Sequence, residues 1–160
     1  MKIRVGMGFD VHQLVEGREL WLGGIRFEHS KGLLGHSDAD VLIHAICDAI
    51  LGAANMRDIG YHFPPKKGNE FENIDSKILL RRTVELVTAK GYAIGNVDST
   101  ICAETPKINP RIAEMQEVLA DCMSIDKDDV SIKATTTEKL GFTGREEGIS
   151  AYAVVLLEKR

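Results

Sequence analysis

No apolar run in this chain is long enough to cross a membrane. The longest, Ala151 to Leu157, falls well short of the roughly 20 residues that a spanning helix needs. The N-terminal pattern is broken by Asp10 and His12, which argues against a secretory signal. Basic residues are in the minority, with 20 Lys and Arg against 24 Asp and Glu and a net charge of −4. With no basic tract or stripe, the surface offers little to a phosphate backbone, so nucleic acid is not an expected partner. Cysteine is scarce. Cys47, Cys102 and Cys122 are odd in number and far apart, which excludes a disulfide framework and a metal knuckle. They fit small buried hydrophobes in a reducing compartment, the cytoplasm. Repeats, linkers and low-complexity stretches are also missing, so residues 1–160 read as one domain. At 44% hydrophobic and 28% charged, that domain has the composition to bury a core.

The alternation of side chains predicts the elements. From Ile3 to Val11 the odd positions are all apolar, while the even ones are polar or glycine, the mark of a half-buried strand. A second strand is predicted over Leu20 to Phe27, kinked at Gly23-Gly24. Ser37 to Ala54 reads as a helix with Val41, Leu42, Ala45, Ile46, Ala49, Ile50 and Ala53 on an apolar side. Residues 55–74 read as loop, with an exposed turn at Pro64-Pro65 and Lys66-Lys67. A helix from Asp75 to Lys90 is expected to stop at Gly91. After a strand near Val97 to Ala103, Asn109 and Pro110 suit the cap and first position of a third helix. Two strands, Val130 to Thr135 and Ile149 to Leu157, close the chain. The order predicts an α/β fold, an α+β sandwich whose mixed sheet carries helices on one face.

What the chain has in unusual supply is clustered histidine. All five, His12, His29, His36, His44 and His62, fall in the first 62 residues. Asp10 and His12 are two apart on a strand and so share a face. Asp40, His44 and Asp48 are spaced four apart on the predicted helix and so stack on one stripe. Asp10, His12 and His44 would together make a two-histidine, one-carboxylate metal set with a fourth position open, with an acid one turn from His44 fixing its tautomer. The plainer alternative has Asp10 and His12 capping a strand end and His44 satisfied in the core. The same ligand set serves zinc and non-haem iron, so the residues alone do not name the metal.

Five segments, "GFDVH", "LLGHSDADVLIHA", "LGAANMRDIG", "KGYAIGNVD" and "VSIKATTTEKLGFTGREEGISA", resemble in the same order the 2-C-methyl-D-erythritol 2,4-cyclodiphosphate synthases. The resemblance covers nearly the whole chain. It implies a homotrimer with active sites between subunits, cyclising 4-diphosphocytidyl-2-C-methyl-D-erythritol 2-phosphate with release of CMP. It implies zinc on Asp10, His12 and His44, and a second cation, magnesium or manganese, on Glu138. His36 and Thr136 would stabilise the transition state.

The remaining roles also follow from the resemblance. Asp10, His12, His36 and Ser37 would lie against the substrate's phosphates. Asp58, Ile59, Gly60 and Phe63 would hold the methylerythritol part. Ala103, Glu104, Thr105, Pro106, Lys107, Ile108 and Asn109 would receive the cytidine. Thr135, Thr136, Thr137 and Glu138 would meet the diphosphate. Phe9, Phe142 and Arg145 match the lining of a cavity on the threefold axis that takes an isoprenoid diphosphate. Each has an ordinary counterpart: an N-cap for Ser37, a capping box for Thr135 and Glu138, solvation for Lys107, core packing for the two rings and an ion pair for Arg145. Two segments depart from the family, Pro65-Lys66-Lys67-Gly68 where an acidic run is usual, and Ala103-Glu104-Thr105 where smaller or amide residues are.

Three other functions use the same residues. A zinc phosphohydrolase would release linear products, an iron oxygenase would consume oxygen, and a binding module would tolerate loss of Thr136.

Overall fold

In the computed structural model, which describes residues 2–160, alternation carries the first strand further than predicted. β1 runs Ile3–Glu16 and is followed by a hairpin, β2 (Leu20–Leu22) and β3 (Ile25–Phe27). The expected single kinked strand is therefore two. Gly23 and Gly24 both take positive φ, 61° and 79°, and turn the chain through the hairpin rather than kinking it. A short strand that the pattern does not announce, β4 (Lys31–Leu33), pairs with the end of β1.

The helices follow. α1 spans Val41–Ala53, a one-turn α2 spans Ile59–His62 inside the predicted loop, and α3 spans Ser76–Ala89. Gly91 stops α3 with φ of 88°, as expected. β5 (Tyr92–Cys102), α4 (Ile112–Met123), β6 (Val130–Thr135), a one-turn α5 (Gly141–Gly144) and β7 (Gly148–Lys159) complete the chain. Asn109 makes no capping bond; it opens a 3-10 turn, Asn109–Arg111, that leads into α4.

The main sheet has the order β4-β1-β7-β5-β6. β5 and β6 are parallel and the other neighbours antiparallel, so the sheet is mixed. α1 lies across β1 and β7 with α3 beside it, and α4 packs against α3 and β6. All the apolar positions predicted for α1 are buried, and Ile43, Cys47 and Leu51 with them, because sheet and α3 enclose the helix from two sides. Burying a leucine or isoleucine in this way stabilises the fold by about 1.5–3 kcal/mol.

β1 turns its apolar side the other way. The even positions face α1, and glycine is what lets them do so: a Cβ on Gly6 would stand 1.9 Å from the Ala49 carbonyl oxygen. The odd residues Ile3, Val5, Met7, Phe9 and Val11 are 42% to 66% exposed. Tyr152 and Val154 of β7 join them, with the Phe9 and Tyr152 rings 5.0 Å apart. The half-buried strand is real, but in the single chain its apolar side is the open one.

Candidate metal centre and active-site cavity

Asp10 and His12 point from β1 toward α1, which presents His44 from its first turn. His12 Nε2 lies 2.9 Å from Asp10 Oδ2, His44 Nδ1 lies 3.1 Å from the same oxygen, and the two nitrogens are 3.2 Å apart. Donor atoms about 2 Å from a tetrahedral zinc stand roughly 3.3 Å from each other, so the trio has the spacing of a metal site. Among the described residues it is the group of histidine, cysteine and acid side chains that could hold an ion.

The outer nitrogens have partners of their own. His12 Nδ1–H donates to the Leu34 carbonyl at 2.7 Å. His44 Nε2 meets two hydroxyls, Ser76 Oγ at 3.0 Å and Ser37 Oγ at 3.2 Å. When the outer nitrogens carry the protons, the inner lone pairs are left for a metal. Burial opposes the Asp10 charge, but His12 and His44 hold its carboxyl down at about 2. Burial likewise lowers the His12 pKa, yet the bond and charge of Asp10 carry it above the ordinary 6.5.

The acids on the His44 stripe do other work. Asp40 is wholly buried and caps α1, accepting from Ile43 N at 3.1 Å, Gly23 N at 3.0 Å and Gly24 N at 2.7 Å. It thereby fastens the β2–β3 turn to the start of the helix. Asp48 accepts from Ile59 N at 2.9 Å and positions α2. Neither is given a bond to the His44 ring. That place is taken by Ser76 and Ser37, and Ser76 in turn donates to Asp38. An Asp-Ser pair at a helix start was the available signal, but it reads equally well as a cap.

A cavity of about 200 Å³ opens beside the trio, lined by His36, Ser37, Ile59, Gly60 and Phe63 among others. Pro65 of the departing segment also lines it, and so do Phe71, Ile74 and Leu79, which sequence reasoning missed. Asp58 caps α2 by accepting from Tyr61 N at 2.9 Å. Ser37 does not cap α1; its hydroxyl accepts from Ala39 N at 3.0 Å. Lys66 and Lys67 stand exposed, as a turn requires. Arg18 braces the loop from behind, donating to the carbonyls of Leu33 and Ser37, each at 2.9 Å.

Thr136 and Glu138 are elsewhere. Thr135 pairs with Cys102, Cys102 with Ser150, and Ser150 with Val11. One row therefore crosses the sheet at this end, and three strand spacings of about 4.8 Å put the Thr135 end some 14 Å from β1. There a second cavity of about 580 Å³ is lined by Ala103, Glu104, Pro106, Lys107, Ile108, Asn109, Thr135 and Thr136. No helix begins at Thr135, so the capping box is not formed. Instead Glu138 and Lys139 take φ of 53° and 63°. Lys139 N donates to Glu104 at 2.6 Å, Glu138 N to Thr136 Oγ1 at 3.2 Å, and Thr137 Oγ1 to the Leu140 carbonyl at 2.7 Å. Thr105 is tied to Glu146. Phe9 and Phe142 are 44% and 43% exposed, so neither is a core residue, and Arg145 pairs with Glu147.

Known proteins share this fold. The pattern of the YgbB family matches residues 3–158. The chain belongs to that family. A relative from Phocaeicola vulgatus, named 2-C-methyl-D-erythritol 2,4-cyclodiphosphate synthase, is 80% identical over 159 residues, 99% of each chain. Among solved structures, the bifunctional IspDF from Campylobacter jejuni superposes with a TM-score of 0.95 at 40% identity, covering 99% of this chain and 43% of that longer one. An IspF–CDP complex from Plasmodium falciparum superposes at 0.86 with 36% identity, covering 99% and 97%. The YgbB match thus takes in both cavities and the sheet between them.

Proposed function

We propose that the protein converts 4-diphosphocytidyl-2-C-methyl-D-erythritol 2-phosphate to 2-C-methyl-D-erythritol 2,4-cyclodiphosphate and CMP, as a single synthase domain of residues 1–160. The observation that carries this reading is the convergence of Asp10, His12 and His44 at the mouth of a preformed cavity, in a chain whose relatives bear the synthase name. In the reaction an oxygen of the 2-phosphate bonds to the β-phosphorus. The bond from that phosphorus to the bridging oxygen breaks, and CMP leaves with that oxygen. Such transfers depend on positioning and charge neutralisation. No water enters, which separates this reading from hydrolysis by the same donors.

Asp10, His12 and His44 would hold zinc, and Glu138 would hold magnesium or manganese. These ions supply positive charge to the diphosphate oxygens. His36, exposed at the cavity, and Ser37 donate to the phosphates. Thr136 does the same from the second cavity. Ile59, Gly60 and Phe63 enclose the methylerythritol part, with Asp58 setting the turn that carries them. The loop Ala103–Asn109 receives the cytidine, in keeping with the CDP in the Plasmodium complex.

The two halves lie too far apart in one chain to grip one substrate, which supports a homotrimer whose active sites join neighbouring subunits. The row Ile3, Val5, Met7, Phe9 and Val11 is the surface such an assembly would cover. Phe9, Phe142 and Arg145 would then meet in three copies around an isoprenoid diphosphate. Free Cys47, Cys102 and Cys122 fit the cytoplasm, and no described helix is long and apolar enough to cross a membrane. Phosphorus NMR of the protein with the cytidyl substrate and magnesium tests the reading. Coupled resonances of a cyclic diphosphate beside CMP are expected. CMP with a linear phosphate would overturn it in favour of hydrolysis.

A further inference from the structure

His44 meets the proposed metal through Nδ1, so its single proton must sit on Nε2. Two hydroxyls stand there, and they differ in what they can do. Ser37 Oγ accepts from Ala39 N but keeps its own proton free, so it could equally donate to an unprotonated Nε2. Ser76 has no such freedom. It is wholly buried on the first turn of α3, and its O–H donates to Asp38 Oδ1. An ionised carboxylate only accepts, so the hydroxyl proton is committed and the Ser76 oxygen can only receive. What it receives, at 3.0 Å, is the Nε2–H of His44.

Asp38 is itself pinned. Its Oδ2 accepts from Ser76 N at 2.9 Å and its Oδ1 from Asp40 N at 3.1 Å. One chain of bonds therefore runs with fixed sense from His44 Nε2 through Ser76 to Asp38. We infer that Asp38 and Ser76 are positioning residues for the metal centre, holding His44 as the tautomer whose Nδ1 lone pair faces Asp10 and His12. This rests on the reading that zinc binds those three residues. A hydroxyl interposed between carboxylate and imidazole keeps the negative charge one residue back from the ring while still drawing on its proton.

Two readouts on the full-length protein test this. Competition against a chromophoric chelator gives zinc affinity, and long-range proton–nitrogen NMR of the metal-stripped protein reads the His44 tautomer. Asp10 Oδ2, 3.1 Å from Nδ1, competes for the same proton in the stripped protein, so the wild type is expected as a mixture dominated by the Nε2–H tautomer. Ser76→Ala should shift the balance toward the Nδ1–H form and weaken zinc by roughly 10- to 100-fold, while Ser76→Thr should keep the wild-type balance. Should Ser76→Ala not fold, Asp38→Ala, which frees the Ser76 proton to turn toward His44, carries the same expectation. A tautomer balance unchanged from wild type in the alanine variants overturns the inference, whether or not affinity falls, since Ser76 would then act by packing alone. Wild-type protein that binds no zinc overturns the metal reading itself, and the two failures are told apart.

Discussion

Nε2 of His12 and Nδ1 of His44 face each other across 3.2 Å, with Asp10 Oδ2 within reach of both. Asp10 raises the His12 pKa above 6.5, so a proton between His12 Nε2 and Asp10 Oδ2 competes with a metal for this point. The signs follow. His12, raised above 6.5 by Asp10 against the pull of burial, favours the metal-free fold at low pH and loses that effect as pH rises through its folded value. Asp10, lowered to about 2, favours the fold above its ordinary 3.8 and loses that effect as pH falls through the lowered value. Zinc bound as proposed would have to displace the His12 proton. Calorimetry in buffers of different ionisation enthalpy is therefore expected to find proton release on zinc binding near pH 6, fading as pH rises past the His12 pKa, with affinity falling as pH falls. Proton release that does not change with pH would contradict this account.

Gly8 decides whether His44 can reach Asp10 at all. A Cβ on Gly8 would lie 1.8 Å from the Ala45 carbonyl oxygen and 2.8 Å from Ala49 N. These are backbone atoms that cannot swing aside. Gly8→Ala should push α1 off β1, at a cost of about 3 kcal/mol or more. It should also weaken zinc binding, because His44 rides on α1 while Asp10 and His12 stay with β1. Urea unfolding and zinc titration of the same variant would check both halves of this expectation.

Gly8 also marks where sequence reading stops. Period two in β1 gave the strand, and period 3.6 gave α1, because both patterns are local. Which side of β1 faces α1 was hidden, since glycine lacks the apolar side chain that usually marks the buried face. The ligand trio was legible because an acid and a histidine two apart need only a strand to align them. Ser76 and Asp38 were not, since they come from α3 and from the loop before α1 and meet only through packing. Thr135 to Glu138 looked like a cap, but the left-handed turn at Glu138 and Lys139 is held by Glu104, 35 residues away.

Asp40 holds a charge where burial disfavours it. Burial first and the Asp38 charge second push its pKa up to about 6, against three backbone N–H bonds that stabilise the anion. The folded chain thus takes up this proton more readily than the unfolded one, so the contribution of Asp40 to stability grows as pH falls from about 6 toward 4. Asp40→Asn cannot ionise and turns an amide N–H toward a backbone donor. It is expected to lower stability by about 1–3 kcal/mol at pH 7. Wild-type stability should rise relative to the variant between pH 7 and 5, measured by urea unfolding in chelator. A gap that narrows on acidification would refute the assignment.

Met7 is 62% exposed in the middle of an apolar row. A charge there costs a lone chain little but would be buried by an assembly on this face. Met7→Glu is expected to leave the fold intact by circular dichroism and to shift sedimentation from trimer to monomer. Activity should fall with the trimer.

The proposed division of the site between neighbouring subunits makes a sharper prediction. His44→Ala removes the metal half and leaves Thr136 intact; Thr136→Ala does the reverse. Each alone should be nearly inactive. In a trimer refolded from an equal mixture, a site needs its metal half from one variant and its Thr136 half from the other. Random assembly then makes about a quarter of the sites whole. Recovery of roughly that share of wild-type activity on mixing is the expected outcome, with none when the two are mixed without unfolding and exchange. If mixed trimers stay as inactive as their parents, the substrate is gripped within single chains, and the 14 Å between β1 and the Thr135 end would have to be bridged by some other means.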